Sequence, residues 1–113
     1  MTTMRYKILG QVCPANTANV TLYNVPANTN TIISTLSVCN MAIANKTYNV
    51  AAIPSGETID KKHMLASNGA IAAYDSIALT IGMTLGANDT IVVAGQDANN
   101  IAFTIFGTEI TEP

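Results

Sequence analysis

The sequence predicts an all-β fold: a small two-sheet β-sandwich, jelly-roll or Ig-like, with seven to eight antiparallel strands. Three observations lead there. Short β-prone runs alternate with turn signals along the whole length. No amphipathic stretch is long enough to hold a stable helix. A chain of 113 residues buries a useful core only when two layers close over it, so one domain is expected over 1–113.

The strands follow in order. Arg5 to Val12 is the first, stopped by Cys13-Pro14. Val20 to Val25 is the second, closed by Pro26 and the turn-forming cluster Ala27 to Asn30. Thr31 to Cys39 is richest in β-branched residues, with Ile32, Leu36 and Val38 expected on one face and Ile33, Thr35 and Ser37 on the other. Lys46 to Ile53 sets Tyr48 and Val50 on one side and ends at the turn Pro54 to Glu57. Between Thr58 and Tyr74 a short strand near His63-Met64-Leu65, an Asn68-Gly69 turn and the apolar run Ala70 to Tyr74 are expected. Alternation is clearest at Ile77, Leu79 and Ile81, after which Gly82 to Asn88 reads as a connection. Thr90 to Ala94 and Ile101 to Phe106 suggest a terminal hairpin, with 1–4 and 109–113 left as short arms. The expected core is Ile8, Leu22, Ile32, Leu36, Val38, Val50, Leu65, Ile77, Leu79, Ile81, Val93, Phe103 and Ile105.

Composition narrows function. Only 11% of residues are charged, so part of the surface is coated by Thr, Asn and Ala or covered by neighbouring subunits. The five cations, Arg5, Lys7, Lys46, Lys61 and Lys62, are too few to coat a phosphate backbone, and Trp is absent, which argues against nucleic acid. The long uncharged stretch between Lys7 and Lys46 is broken too often by Asn, Thr, Gln and Pro to span a membrane. With no signal-like segment, synthesis in a cytoplasm is expected, and Cys13 and Cys39 read as reduced, partly buried thiols, with a bridge between adjacent strands as the alternative.

Catalytic chemistry is not apparent. His63 is the single histidine, and no serine sits in a nucleophile elbow. Neither Cys13 nor Cys39 has a supporting motif, and His63 beside Lys61 and Lys62 reads as a surface or edge-strand residue. Asp97-Ala98-Asn99 has the spacing that opens a calcium loop but lacks its glycine and closing glutamate. Gly82 and Gly86 lack the lysine of a phosphate loop. The carboxylates Glu57, Asp60, Asp75, Asp89, Asp97, Glu109 and Glu112 read as solvated loop and strand-end groups. No catalytic, cofactor-binding or metal residue is therefore expected, and no enzyme.

Two terminal segments, Tyr6 to Gln11 and Phe103 to Thr111, carry a familial pattern together with Thr31 to Asn40 and Asp75 to Val92. They resemble a group of small virion structural proteins of tailed bacteriophages, including cyanophages, over roughly Tyr6 to Thr111. The chain departs from that group at Met64, where the group has an aromatic after the histidine. The resemblance implies a capsid decoration or cement protein, located in the virion and partnered by a major capsid protein. The alternative within it is a tail, baseplate or fibre subunit partnered by tail proteins. A homo-oligomer is expected, a trimer first. From a different class, a carbohydrate-binding module would need Tyr6, Tyr23, Tyr48 and Tyr74 to form one exposed platform.

Overall fold

Alternating side chains give this chain one apolar face per strand, and the computed structural model closes those faces into two sheets. Residues 2–80 and 82–112 are described. Nine strands occur among them: β1 (Thr3–Val12), β2 (Val20–Asn24), β3 (Thr29–Asn40), β4 (Lys46–Ile53), β5 (Met64–Ile71), β6 (Ser76–Leu79), β7 (Met83–Leu85), β8 (Thr90–Gly95) and β9 (Ile101–Thr111). One sheet runs β1-β9-β3-β6, with β7 also on β3; the other runs β2-β8-β4-β5.

All described pairings are antiparallel, and they nest. β1 pairs β9, β2 pairs β8, β3 pairs both β6 and β7, and β4 pairs β5. This is one long ribbon folded at the β4–β5 connection and rolled up, with β3·β9 and β4·β8 closing the roll. The topology is the jelly roll. The order is not Ig-like, because among the described residues no two consecutive strands pair apart from β4 and β5.

Two expectations about order change. β8 and β9 are not a hairpin: residues 96–100 carry the chain from one sheet to the other. β5 runs straight through Asn68-Gly69, where Asn68 takes a left-handed backbone (φ 53) and the ladder shifts register, so these residues form a bulge and not a turn. The run from Ala70 is therefore the end of β5. β7 is the strand beyond the seven or eight expected, formed inside the segment read as a connection.

The core lies between the sheets and is built on Phe103, Ile33, Leu36, Val38, Val50, Ile71, Ile91, Val93, Ile101 and Ile105. Each such side chain stabilises the fold by about 1.5–3 kcal/mol. Leu22, Leu36, Val38, Val50, Val93, Phe103 and Ile105 are buried as expected, while Ile77 and Leu79 pack half-buried on the edge. Ile81 lies outside the described residues, as do Met1 and Pro113 of the anticipated arms.

Ile8, Ile32 and Leu65 are instead exposed, at 50%, 41% and 46%. For the first two the cause is a pair of bulges beside Phe106. β9 keeps strict alternation, but β1 inserts Leu9 between the partners of Phe106 and Ile105, and β3 inserts Ser34 between the partners of Gly107 and Phe106. An extra residue exchanges the two faces of a strand. Leu36, Val38 and Asn40 point inward after the bulge in β3, whereas Thr29, Thr31 and Ile33 point inward before it. Gly107 sits at that discontinuity, where a Cβ would collide with the Ile32 carbonyl. Leu65 takes the outward position between the half-buried Met64 and Ala66 of β5.

Candidate interaction surfaces

The outward face of the larger sheet divides in two. Beyond the bulges its rows are polar or small: Gln11, Thr104, Ser37 and Ala78, then Ala102, Cys39 and Ser76. Before the bulges large apolar side chains are interspersed with Asn30, Thr84 and Thr108. Met4 stands beside Ile110, Tyr6 and Ile32 flank Thr108, and Ile8 stands beside Phe106. Tyr6 is 79% exposed and Met4 54%. The residues anticipated as arms, 3–4 and 109–111, pair as strand and carry one end of this apolar half.

A second apolar surface caps the opposite end of β3. The β3–β4 loop exposes Met41 and Ile43, the latter at 83%, and the neighbouring turn after β5 exposes Tyr74 at 71%. Both segments are braced from within. Asn40 is fully buried; its Nδ2 donates to the carbonyls of Ala44, Ile71 and Ala72, at 3.0, 3.2 and 3.1 Å, and its Oδ1 accepts from the Ala42 N–H at 2.9 Å. Backbone bonds from Tyr74 N–H to the Ala42 carbonyl and from Asn40 N–H to the Asp75 carbonyl tie the two segments to each other. Tyr74 has φ 56, and the other described non-glycine residues with positive φ are all asparagines. A bulky side chain held left-handed costs about 1–2 kcal/mol. The loop holds that strain and points the aromatic ring into solvent.

The other end of the sandwich carries a polar clasp. The Tyr23 hydroxyl, on β2, reaches across to Glu109 Oε2 on β9 at 2.5 Å and to Thr31 Oγ1 on β3 at 2.9 Å. Lys7 Nζ lies 3.3 Å from the second Glu109 oxygen. The Tyr23 hydrogen bond, with help from Lys7, holds the Glu109 carboxyl below its ordinary range against the opposing effect of burial. Burial, followed by the Glu109 bond, pushes the Tyr23 hydroxyl well above its ordinary value.

The groups that sequence singled out do not converge. His63 is buried, not on the surface, because the 3₁₀ turn Lys61–His63 folds against β4. Its Nδ1 accepts the Asp60 N–H at 3.0 Å and its Nε2 lies 2.9 Å from Glu57 Oε1, which fixes a ring that donates from Nε2 and closes the β4–β5 loop. That bond first, then Lys62 at 3.2 Å, lowers the Glu57 carboxyl. Cys13 is exposed just past the end of β1, Cys39 is half-buried on β3 of the same sheet, and both are free. Asp89 ties a turn, accepting the Ser55 and Gly86 N–H groups. Asp97 accepts from Asn100 and faces Lys46. Among the described residues no three metal-type ligands cluster. Tyr23 and Tyr48 are buried while Tyr6 and Tyr74 stand at opposite ends of β3, so the four tyrosines form no single platform.

Sequence reading missed Asn40, Met41, Ile43 and Tyr74 as a unit. Its trace was the run Met41 to Ala44, apolar where a loop is normally polar. What the fold and these surfaces define is a rigid jelly roll with uncharged apolar ground left open at two places.

No protein-family model matches the chain, and no curated protein sequence matches it. Solved structures do. A chain in the acidic stable capsid structure of Helicobacter pylori bacteriophage KHP30 aligns at TM-score 0.52 and 12% identity, covering 97% of this chain and 93% of that one. A chain of infectious bursal disease virus, Gx strain, aligns at TM-score 0.52 and 12% identity over 97% of this chain and 32% of that one. A chain of the cyanophage Pam1 capsid asymmetric unit aligns at TM-score 0.47 and 12% identity, covering 98% and 86%. The first two share the fold of this chain, and both come from virus particles.

Proposed function

We propose that this chain is a structural subunit of a virus particle, a decoration or cement protein that adds protein–protein contacts to the outside of a capsid. The observation that carries the reading is the pairing of a rigid jelly roll with two open apolar surfaces. Surfaces of that kind gain from being covered and lose little by desolvation, since they hold almost no charge. The jelly roll is an architecture used for shell building. The alignment with the KHP30 chain takes in nearly the whole of both chains, so a unit of this size occurs in a phage capsid structure by itself. The chain spans about a third of the bursal disease virus chain, where the same unit is one part of something larger.

The role is binding and not catalysis. His63 spends both ring nitrogens on closing its own loop, and neither cysteine is assembled with it. Quantitative mass spectrometry of purified particles of the source virus tests the proposal. A cement subunit is present in hundreds of copies per particle. A handful, in small multiples of three or six, moves the chain to the tail, and absence from the particle overturns the reading.

A further inference from the structure

We propose that the open groove on the outer face of the smaller sheet binds a neutral saccharide. The inference goes beyond the virion role, and the binding itself does not depend on that role. The groove measures about 390 Å³ and lies across β4, between β5 and the end of β8. Thr47, Asn49 and Asn68 line it from β4 and β5, while Thr17 and Gln96 reach it from the loops after β1 and β8. Its floor is Ala94, which stands opposite Asn49 in the ladder and alternates with the core residue Val93.

The polar groups are set in place before any ligand arrives. Gln96 Oε1 accepts the Thr47 N–H at 2.9 Å and the Thr47 hydroxyl at 3.3 Å. Asn49 Oδ1 accepts the Asn68 N–H at 2.6 Å. Backbone donors thus fix which end of each amide is oxygen, and among the described residues neither amide nitrogen has a partner within the chain. Asn68 is exposed at the β5 bulge with a left-handed backbone, the kind of break that re-aims a side chain.

Chemistry selects the ligand. Each sugar hydroxyl both donates and accepts, and the lining offers the same mixture: amide NH2 groups donate, the Asn68 side-chain carbonyl accepts, and hydroxyls do either. Among the described residues no charged side chain lines the groove, so a phosphate or carboxylate would find no cation there. An apolar ligand would cover these amides without satisfying them. No ring is offered for stacking, since Tyr48 of β4 faces the core. Each site is therefore weak, with Kd on the order of 1–10 mM. With hundreds of copies on one particle, as the proposed function has it, such sites together give firm attachment to a glycan-dense surface.

Amide-detected NMR titration of the purified chain tests this, with glucose, galactose, mannose, N-acetylglucosamine and N-acetylgalactosamine, each to about 50 mM. At least one sugar is expected to shift the side-chain NH2 resonances of Asn49, Asn68 and Gln96 saturably. Asn68→Gly suits the φ of 53 while removing the amide, and is expected to weaken binding about three- to tenfold. Thr17→Arg, in an exposed loop, is expected to block the groove and abolish the shifts; the same spectra show whether each variant is folded. Sodium phosphate and sodium acetate at the same concentration are expected to leave those resonances unmoved. No saturable shift with any of the sugars, shifts that survive both variants, or an anion that binds more tightly than sugar overturns the inference. None of these outcomes alters the copy number counted on particles, so the two proposals fail separately.

Discussion

The two ends of this sandwich are tied shut by buried polar groups of different kinds. At one end Tyr23 crosses from the smaller sheet to Glu109 and Thr31 of the larger. At the other, Asn40 crosses from the larger sheet to the Ile71 carbonyl of the smaller. The amide is neutral, makes four hydrogen bonds and holds loops in place. The carboxylate is ionised and draws on a tyrosine and a lysine. Jelly-roll strands run the length of the molecule, so each end needs its own closure, and only one of the two closures responds to pH.

Removing the amide has the largest expected effect. Asn40→Ala strips partners from three carbonyls and one N–H, at roughly 1–3 kcal/mol for each group left buried and unsatisfied. Because the loops relax into water, a net loss of about 3–5 kcal/mol is expected by urea denaturation. A loss below about 1 kcal/mol would show that the loops do not depend on this brace. At the other end, Tyr23→Phe is expected to cost about 1–3 kcal/mol at pH 7, since it takes a donor from a buried carboxylate that keeps Lys7.

The pH profile separates the ends further. Glu109 titrates below its ordinary 4.5 in the folded state, so its stabilisation is full above that value and is lost as pH falls through the lowered one. Tyr23 is shifted upward, so its contribution is present below its ordinary 10.0 and is lost as pH rises beyond it. Thermal melts of wild type should therefore lose Tm at both extremes. Asn40→Ala should shift the whole curve down with its shape kept. Tyr23→Phe should flatten the acid limb, because its hydroxyl is the main cause of the lowered carboxyl. Equal flattening in both variants would dissolve the distinction between the ends.

The smallest effect is a gain. Tyr74→Asn places the residue this chain prefers at left-handed positions and is expected to raise stability by about 0.5–1 kcal/mol in urea denaturation. If the same substitution lowers stability, the Tyr74 ring contributes packing that outweighs its backbone strain.

Sequence made the architecture class legible but not the wrap. Alternation in β3 and β9 was strong enough to mark strands, and Phe103, Ile105, Leu36 and Val38 fell inside as their pattern required. Ile8 and Ile32 did not, because one inserted residue in each of β1 and β3 exchanges faces and leaves no mark in composition. β8 and β9 looked like a hairpin because the turn residues between them also serve a crossing between sheets. The clasp and the Asn40 brace were invisible for a simpler reason. Tyr23 and Glu109, or Asn40 and Ile71, meet only through pairing across the roll, and neither side chain is unusual in its local sequence. The Ile43–Tyr74 surface left a faint trace, in apolar residues where a loop should be polar.

The nested pairing also sets the order of events at birth. β1 leaves the ribosome well before its hydrogen-bonded neighbour β9, with Thr3 opposite Thr111. Until β9 is released, β1 has no ladder to join in its sheet. Contacts so distant along the chain make for slow folding. Release of β9, and not of the strands before it, is the moment at which this roll can close.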